Sequence, residues 1–226
     1  MNKVIIFGTG KIADVIFYYL QNESEYTPVA FTVDKEYIKS DSFNGLPVID
    51  FKEIQEKFPP GEHKMFVAMG YQDLNDARTE KLKQAKAKNY ELISYIHPES
   101  GAPKDLQLGE NCFVMNNVCI HPRVKIGSNV FIWSGTMIGH HSEVRDNCWL
   151  TSCANISGNV KVGKNCFFAV NSTVAHSVEI GNHCFLGANA LVTKHLKDEQ
   201  VVIEQSTKPF RLNSRQFLRM SNFSSL

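Results

Sequence analysis

Adjacent histidines in the second half of the chain have the residue type that acid–base chemistry needs. His140 and His141 are neighbours, and His176 follows 36 residues after His140. Histidine titrates near neutral pH, so a neutral imidazole can take a proton from a nucleophile. His140 is therefore the first candidate for a general base, with His141 beside it. A structural role is the alternative for His140, and for His176 the two interpretations have nearly equal weight.

A second group of residues has the spacing of a phosphate-binding turn. Residues 8–13 read Gly-Thr-Gly-Lys-Ile-Ala, directly after an apolar run at 4–7 and at the start of a helical pattern. Such glycines let the backbone turn tightly and approach a phosphate, which a helix N-terminus attracts. A glycine turn with only a structural role is the alternative. The residues assigned to the ligand site are Gly8, Gly10, Lys11, Asp34, Ala68 and Gly70, where Asp34 would contact a ribose or a base edge.

The elements that must position these glycines lie in the first 95 residues. Short apolar runs alternate there with helical stretches, a pattern typical of βαβ units and a small parallel sheet. This length is too short for a full dinucleotide fold, so a mononucleotide or a nucleotide sugar is the expected ligand. Strands are predicted at 4–7, 28–33, 65–68 and 91–95, and helices at 11–20 and 73–88.

The histidines belong to a different pattern, an 18-residue repeat that runs from 106 to 195 in five segments. In every segment the third, ninth and fifteenth residues are large and apolar, which neither a helical period nor simple alternation produces. A six-residue unit used three times per segment builds a coil with three flat faces. The repeat therefore predicts a left-handed parallel β-helix, a prism of five coils, with His140 on one of its edges.

Composition limits the remaining possibilities. The 226 residues carry a formal charge of +1, which argues against a nucleic-acid binder, and no apolar run reaches the 18 to 20 residues of a membrane span. The chain reaches Gly8 too soon for a signal peptide, so a cytoplasmic location is expected. The six cysteines form no Cys-x-x-Cys pair. Four of them share one column of the predicted prism, where we expect buried free thiols rather than disulfides or a metal: Cys112, Cys148, Cys166 and Cys184.

Nearly the whole chain resembles the sugar O- and N-acyltransferases of the PglD/NeuD type. The motifs that carry the resemblance are Ile-His-Pro at 96–98, Ile-Gly-His-His at 138–141 and the run at 158–167. The resemblance implies an α/β Rossmann-like domain at 1–95 that binds a nucleotide-linked amino sugar. It also implies a hexapeptide-repeat β-helix at 96–195 and a short C-terminal cap or tail at 196–226.

The same resemblance assigns roles to residues of the prism. His140 takes the place of the catalytic base, and His141 takes the place of the acidic residue that usually follows it. A second family histidine falls on Trp149 and is therefore missing. Acetyl-CoA is expected in a groove between the prisms of a homotrimer, with no metal. Its main-chain contacts would fall near Gly158, Val170 and Ala188.

The predicted function is an N-acetyltransferase that uses acetyl-CoA. Its acceptor would be a nucleotide-linked 3- or 4-amino deoxysugar for bacterial surface glycan synthesis. An O-acetyltransferase of the sialic-acid type and a non-catalytic trimeric scaffold are the alternatives.

A zinc site like that of the γ-class carbonic anhydrases needs a third histidine where the chain has Gly181, so no metal is expected.

The last 31 residues leave the repeat. A capping helix is predicted at 216–220. Basic residues near the end of the prism are expected either to meet the phosphates of CoA or to be solvated: Lys194, Lys197, Lys208 and Arg211.

Overall fold

Apolar strands at the start of the chain form an open, mostly parallel sheet in the computed structural model, which describes residues 2–220. The strand order is β3-β4-β2-β1-β5, and every pair is parallel except that of β3 with β4 at the edge. The strands are β1 (Lys3–Phe7), β2 (Thr27–Val33), β3 (Ser42–Phe43), β4 (Leu46–Asp50) and β5 (Lys64–Val67). The predicted small parallel sheet is confirmed.

Three helices accompany this sheet: α1 (Lys11–Asn22), α2 (Ile54–Lys57) and α3 (Asp76–Ala87). The sequence predicted α3 from residue 73, but Asp73, Leu74 and Asn75 all have positive φ. A right-handed helix cannot include them, so it begins at Asp76. The hairpin of β3 and β4 was not predicted, although its Asn44-Gly45 turn is a known hairpin signal.

The last strand predicted for this region also differs. Leu92 forms a single bridge with Met65. The chain then leaves the first sheet, and β6 (Tyr95–Ile96) pairs with the first coil of the prism. The backbone therefore runs continuously from the sheet into the prism.

The 18-residue repeat forms a triangular prism whose strands pair in parallel with the coil before and after. The first face contains β7 (Gln107–Leu108), β10 (Lys125–Ile126), β13 (Glu143–Val144), β16 (Lys161–Val162) and β19 (Glu179–Ile180). The second contains β6, β8 (Phe113–Val114), β11 (Phe131–Ile132), β14 (Trp149–Leu150), β17 (Phe167–Phe168), β20 (Phe185–Leu186) and β22 (Val201–Val202). The third contains β9 (Cys119–Ile120), β12 (Met137–Ile138), β15 (Asn155–Ile156), β18 (Thr173–Val174) and β21 (Leu191–Val192).

The edges of the prism need a backbone that most residues avoid. Every sixth residue from Asn111 to Asn189 has a positive φ, and most of these residues are asparagine. Asparagine tolerates the left-handed region better than other non-glycine residues. We call the edge with Asn111, Asn129, Asn147, Asn165 and His183 the asparagine edge. The edge with Asn117, Gly135, Cys153, Asn171 and Asn189 is the middle edge, and the edge with Arg123, His141, Asn159 and Ser177 is the histidine edge.

The cysteine column is buried inside the prism, and all six cysteines are free. The thiol of Cys112 donates to the carbonyl of Gly127 at 3.1 Å, and the thiol of Cys148 donates to the carbonyl of Gly163 at the same distance. Burial raises the pKa of Cys112 to about 12. The thiol of Cys112 therefore stays protonated, and the buried cysteines of the column act as small core residues.

The first sheet docks on the second face of the prism through a ladder of buried amides. Asn111 accepts from the backbone N–H of Val67 at 2.7 Å. Each asparagine amide of the ladder then donates to the next one along the asparagine edge: Asn111 to Asn129, Asn129 to Asn147 and Asn147 to Asn165. Asn165 donates to the carboxylate of Asp76 at 2.7 Å. The ladder therefore connects the end of β5 to the start of α3.

Arg78 of α3 enters the same interface and is fully buried. Its Nε donates to Oδ1 of Asn129 at 3.0 Å, and Nη2 donates to the carbonyl of Asn129 at 3.1 Å. The guanidinium lies 4.3 Å from the ring centroid of Phe131 and 5.0 Å from that of Trp149. Desolvation lowers the pKa of Arg78 to about 9. Because no carboxylate within residues 2–220 pairs with it, backbone carbonyls, an amide and aromatic faces hold this cation.

The end of the chain differs from the prediction. The helix α4 (Ser214–Met220) forms where a capping helix was expected, but none of its residues is buried. It therefore does not cover the end of the prism. Residues 221–226 of the expected tail lie outside the described residues. Within residues 2–220, no helix is long and apolar enough to cross a membrane.

Replacing Arg78 with alanine should loosen the interface between the sheet and the prism. The change leaves Asn129 and the carbonyls without their donor and removes the cation from the aromatic faces. We expect the free energy of unfolding to fall by about 2–4 kcal/mol, measured by urea unfolding. Lys83→Ala, on the exposed side of the same helix, is the control. An equal effect of the two substitutions would contradict this account of the interface.

Candidate active site

The six residues predicted to bind a nucleotide line one cavity of about 900 Å³. The cavity lies at the carboxyl ends of β1, β2 and β5, because parallel strands present those ends at one edge of the sheet. The structure therefore brings together residues that are up to 62 positions apart in the chain. They are Gly8, Gly10, Lys11, Asp34, Ala68 and Gly70.

The two glycines of the turn differ in the space around their Cα atoms. Gly8 has a φ of +126°, and a Cβ there would lie 2.7 Å from the carbonyl oxygen of Ala68. The fold itself therefore requires Gly8. Gly10 precedes α1 and provides no side-chain cap, and a Cβ there would meet no atom within 4 Å. The open space at Gly10, beside the uncapped N–H groups of the first turn, suits an anionic ligand.

Lys81 holds the carboxylate of Asp34, a contact that the sequence did not reveal. Its Nζ lies 2.9 Å from both oxygens of Asp34 and 2.7 Å from Oε1 of Gln84. The same ammonium lies 4.9 Å from the ring centroid of Phe7 and 4.8 Å from that of Phe51. The wall of the cavity therefore presents an ion pair instead of a free carboxylate. A ligand there would meet donor and acceptor groups side by side.

His140 and His141 form a pair on the histidine edge. Their Nδ1 atoms are 3.2 Å apart, and the two rings are nearly perpendicular. His141 has a φ of 60°, and its ring meets that of His140 across the turn. At this distance one Nδ1 must donate to the other. When the Nδ1–H of His140 is the donor, Nε2 of His140 is the unprotonated nitrogen and can accept a proton from outside the chain.

Gly158, one coil further, makes room for the His140 ring. A Cβ on Gly158 would lie 2.8 Å from both Cε1 and Nε2 of His140. The ring of His176, two coils from His140, has its centroid 6.1 Å from the His140 centroid. The structure thus gives Gly158 a packing role against the imidazole. Its contact with a coenzyme, implied by the resemblance, stays a prediction.

Three further titratable side chains of the prism have partners of their own. The carboxylate of Glu143 pairs with Arg145 at 3.2 Å, so His141 is the polar neighbour of the base. His183 lies 3.3 Å from a carboxylate oxygen of Asp76, and Nδ1 of His195 accepts from the backbone of Glu179. In the part of the chain that the structure describes, no three His, Cys, Asp or Glu residues are placed to hold a metal ion.

The residues expected near the coenzyme do not all meet within one chain. Val170 and Ala188 are exposed beside the middle edge, whereas His140 lies on the histidine edge. The third face separates these edges. Trp149, which stands where the family has a second histidine, is buried under Arg78 and Tyr71. It therefore cannot replace that histidine as a contact for a substrate.

The prism by itself matches a known protein family. Residues 105–140 and 159–194 match the family described as bacterial transferase hexapeptide (six repeats). No curated protein matches the chain by sequence.

Solved structures match almost the whole chain. A mutant of perosamine N-acetyltransferase from Caulobacter crescentus, in complex with CoA and GDP-perosamine, is 26% identical with a TM-score of 0.82. The match covers 90% of this chain and 94% of that chain. The acetyltransferase domain of PglB from Neisseria gonorrhoeae is 20% identical with a TM-score of 0.80, over 93% and 100% of the two chains. WeeI from Acinetobacter baumannii is 17% identical with a TM-score of 0.76, over 89% and 96%. The predicted two-part fold with a left-handed β-helix is thereby confirmed.

The two glycines of the turn should respond differently to alanine. Gly8→Ala forces a Cβ against the Ala68 carbonyl in a backbone conformation that favours glycine. We expect a loss of about 2 kcal/mol or more in the free energy of unfolding, measured by urea unfolding. Gly10→Ala, with open space around the new methyl group, should unfold within about 1 kcal/mol of the parent chain. Equal losses in both variants would contradict the geometry of the turn.

Proposed function

We propose that the chain is a hexapeptide-repeat acyltransferase of the PglD/NeuD type and that it acylates a nucleotide-linked amino sugar. The donor is acetyl-CoA, and the acceptor is a 3- or 4-amino deoxysugar for bacterial surface glycan synthesis in the cytoplasm. The geometry of His140 carries the proposal: its ring lies over Gly158, and its Nδ1 faces His141. Support for the acceptor comes from the 26% identical perosamine N-acetyltransferase, whose structure holds CoA and GDP-perosamine.

The proposed reaction uses His140 as the general base in a ternary complex. Nε2 of His140 takes a proton from the sugar ammonium, which frees the amine to attack the thioester carbonyl. The C–N bond forms and the C–S bond breaks. The CoA thiolate takes up the proton that the nitrogen releases. A backbone N–H along the groove stabilises the oxyanion, and no covalent enzyme intermediate forms.

His141 orients His140 in this proposal. In the proposed tautomer the Nδ1–H of His140 donates to Nδ1 of His141, which fixes the ring and leaves Nε2 unprotonated and directed toward the substrate. An imidazole partner differs from the acidic residue usual in the family, because a carboxylate would stabilise the protonated form of the base.

A homotrimer would complete each site. The middle edge carries Val170 and Ala188, the proposed main-chain contacts to the coenzyme, whereas His140 lies on the histidine edge. Packing the middle edge of one copy against the histidine edge of the next would bring them together around a threefold axis. The outward residues of the third face between these edges are uncharged, which suits burial between copies: Cys119, Met137, Asn155, Thr173 and Leu191.

Each proposed domain binds a different substrate. Residues 1–95 hold the nucleotide, with its phosphates near Gly10 and Lys11 and the ribose or base near the pair of Asp34 and Lys81. Residues 96–195 hold the acyl-CoA and the base. Residues 196–226 form the C-terminal segment. The proposed nucleotide contacts also include Ala68 and Gly70. The proposed coenzyme contacts also include Gly158.

Removing the imidazole of His140 should abolish most of the activity. We expect kcat of His140→Ala to fall by about 10²–10⁴, the range for loss of a general base. The measurement is CoA thiol release from acetyl-CoA in the presence of the amino-sugar acceptor. His195→Gln, at the far end of the prism, is the control and should keep most of the activity. Activity of His140→Ala close to that of the control, with an unchanged melting temperature, would rule out His140 as the base.

A carboxylate at position 141 should change the pH dependence. In His141→Glu the carboxylate favours the protonated form of the neighbouring imidazole. Since the base must be neutral, the acid limb of the kcat/KM profile should move to higher pH.

His141→Gln offers a neutral hydrogen-bond partner and is the control, with an acid limb close to that of the parent enzyme. If both variants shift the limb equally, or neither does, His141 is not the group that sets the state of the base.

A further inference from the structure

The C-terminal tail leaves the prism at the end of the middle edge. Strand β22 pairs with β20 so that Val201 lies opposite Phe185 and Val202 opposite Leu186. The same register places Glu204 beyond Ala188. Ile203 lies directly against Gly187, where an added Cβ would be 3.0 Å from its Cγ2. The tail therefore begins at the end of the middle edge, one coil beyond Ala188.

The composition of this tail is unlike that of the rest of the chain. No acidic residue follows Glu204 in the sequence, whereas four cations do: Lys208, Arg211, Arg215 and Arg219. From Glu204 to Met220 every residue is exposed except Leu212, which is half-buried. Phe210 and Phe217 form an edge-to-face pair with ring centroids 5.6 Å apart. Packing in the core explains neither the charges nor the exposed aromatic rings.

We propose that residues 205–220 bind the adenosine 3′-phosphate and diphosphate of acyl-CoA, an inference that rests on the proposed function. Arginine forms bidentate hydrogen bonds with phosphate, and an aromatic ring can stack on adenine. Lys208 and the three arginines bind the phosphates, and Phe210 packs on the base. The tail is thus a binding segment for the nucleotide end of the coenzyme.

The spacing along the prism agrees with this assignment. His140 lies on the second coil, and Glu204 starts the tail at the level of the sixth. Four coils at the strand spacing of about 4.8 Å span about 19 Å. An extended pantetheine arm has about this reach, so a thioester at His140 would place the phosphates of CoA near the first cations of the tail.

The 3′-phosphate allows a direct test. CoA and 3′-dephospho-CoA differ only in this group, and isothermal titration gives the affinity of the full-length protein for each. The parent protein should prefer CoA by about tenfold or more, the size expected for charge-assisted hydrogen bonds. A variant with Lys208→Gln, Arg211→Gln, Arg215→Gln and Arg219→Gln should reduce this preference to about twofold or less. Lys125→Gln, an exposed lysine of the first face, is the control and should keep it.

The outcomes separate this inference from the proposed function. If the parent chain binds CoA and the four-residue variant keeps the preference for the 3′-phosphate, the assignment of the tail is wrong. If the parent chain binds neither form of CoA, the proposed function fails and the inference fails with it. Phe210→Ala adds an independent readout. It should weaken CoA and 3′-dephospho-CoA by the same factor, because both carry adenine, and unchanged affinity would remove the stacking role.

Discussion

The arrangement of the sheet on the prism depends on how the buried guanidinium of Arg78 is accommodated between them. Arg78 has no carboxylate partner among the described residues and lies among backbone carbonyls, the amide of Asn129 and two aromatic rings. Removing a guanidinium from water is costly, and only good hydrogen-bond geometry offsets that cost. This constraint fixes α3 against the prism. The amide ladder from Val67 to Asp76 fixes the sheet in the same orientation.

One helix then links the interface with the prism to the cavity at the carboxyl edge of the sheet. Arg78 of α3 packs against the prism, and Lys81, one turn later, holds Asp34 at the wall of the cavity at the carboxyl edge of the sheet. Displacing the helix would therefore disturb the cavity and the domain interface together. The aromatic residues along the second face serve the same end, since Phe131 and Trp149 contact the guanidinium and Tyr71 packs on Trp149. The prism thus holds the first sheet in a fixed orientation.

The prism could be predicted from the sequence because the 18-residue repeat specifies both the inward apolar residues and the residues at the edges. Ile120, Ile138 and Ile156 recur at 18 residues because each points inward from one face, and a single apolar position per face determines the coil. The glycine turn was also readable, because Gly8 and Gly10 follow a buried strand. The pairing of His140 with His141 could be predicted because the two residues are adjacent in the chain.

The interface between the first sheet and the prism could not be predicted from the sequence, for physical reasons. The buried side of α3 carries Arg78 and Lys81, so the apolar periodicity that marks a buried helix face is absent. Nothing in the sequence separates these cations from the exposed Lys83 and Lys86. The start of α3 was misplaced because Leu74 adopts a left-handed conformation that its type does not favour. Contacts between distant parts of the chain, such as Asp34 with Lys81, appear only once the fold is known.

The most direct test of the central claim is a measurement of CoA thiol release with a panel of acceptors. The panel holds UDP-, dTDP- and GDP-linked 3- and 4-amino sugars, each beside the same sugar with a hydroxyl in place of the amine. The account predicts turnover of one nucleotide-linked amino sugar and none of its hydroxyl counterpart. Release with hydroxyl acceptors alone would indicate an O-acetyltransferase, and no release from a protein that does not bind CoA would contradict acyl transfer altogether.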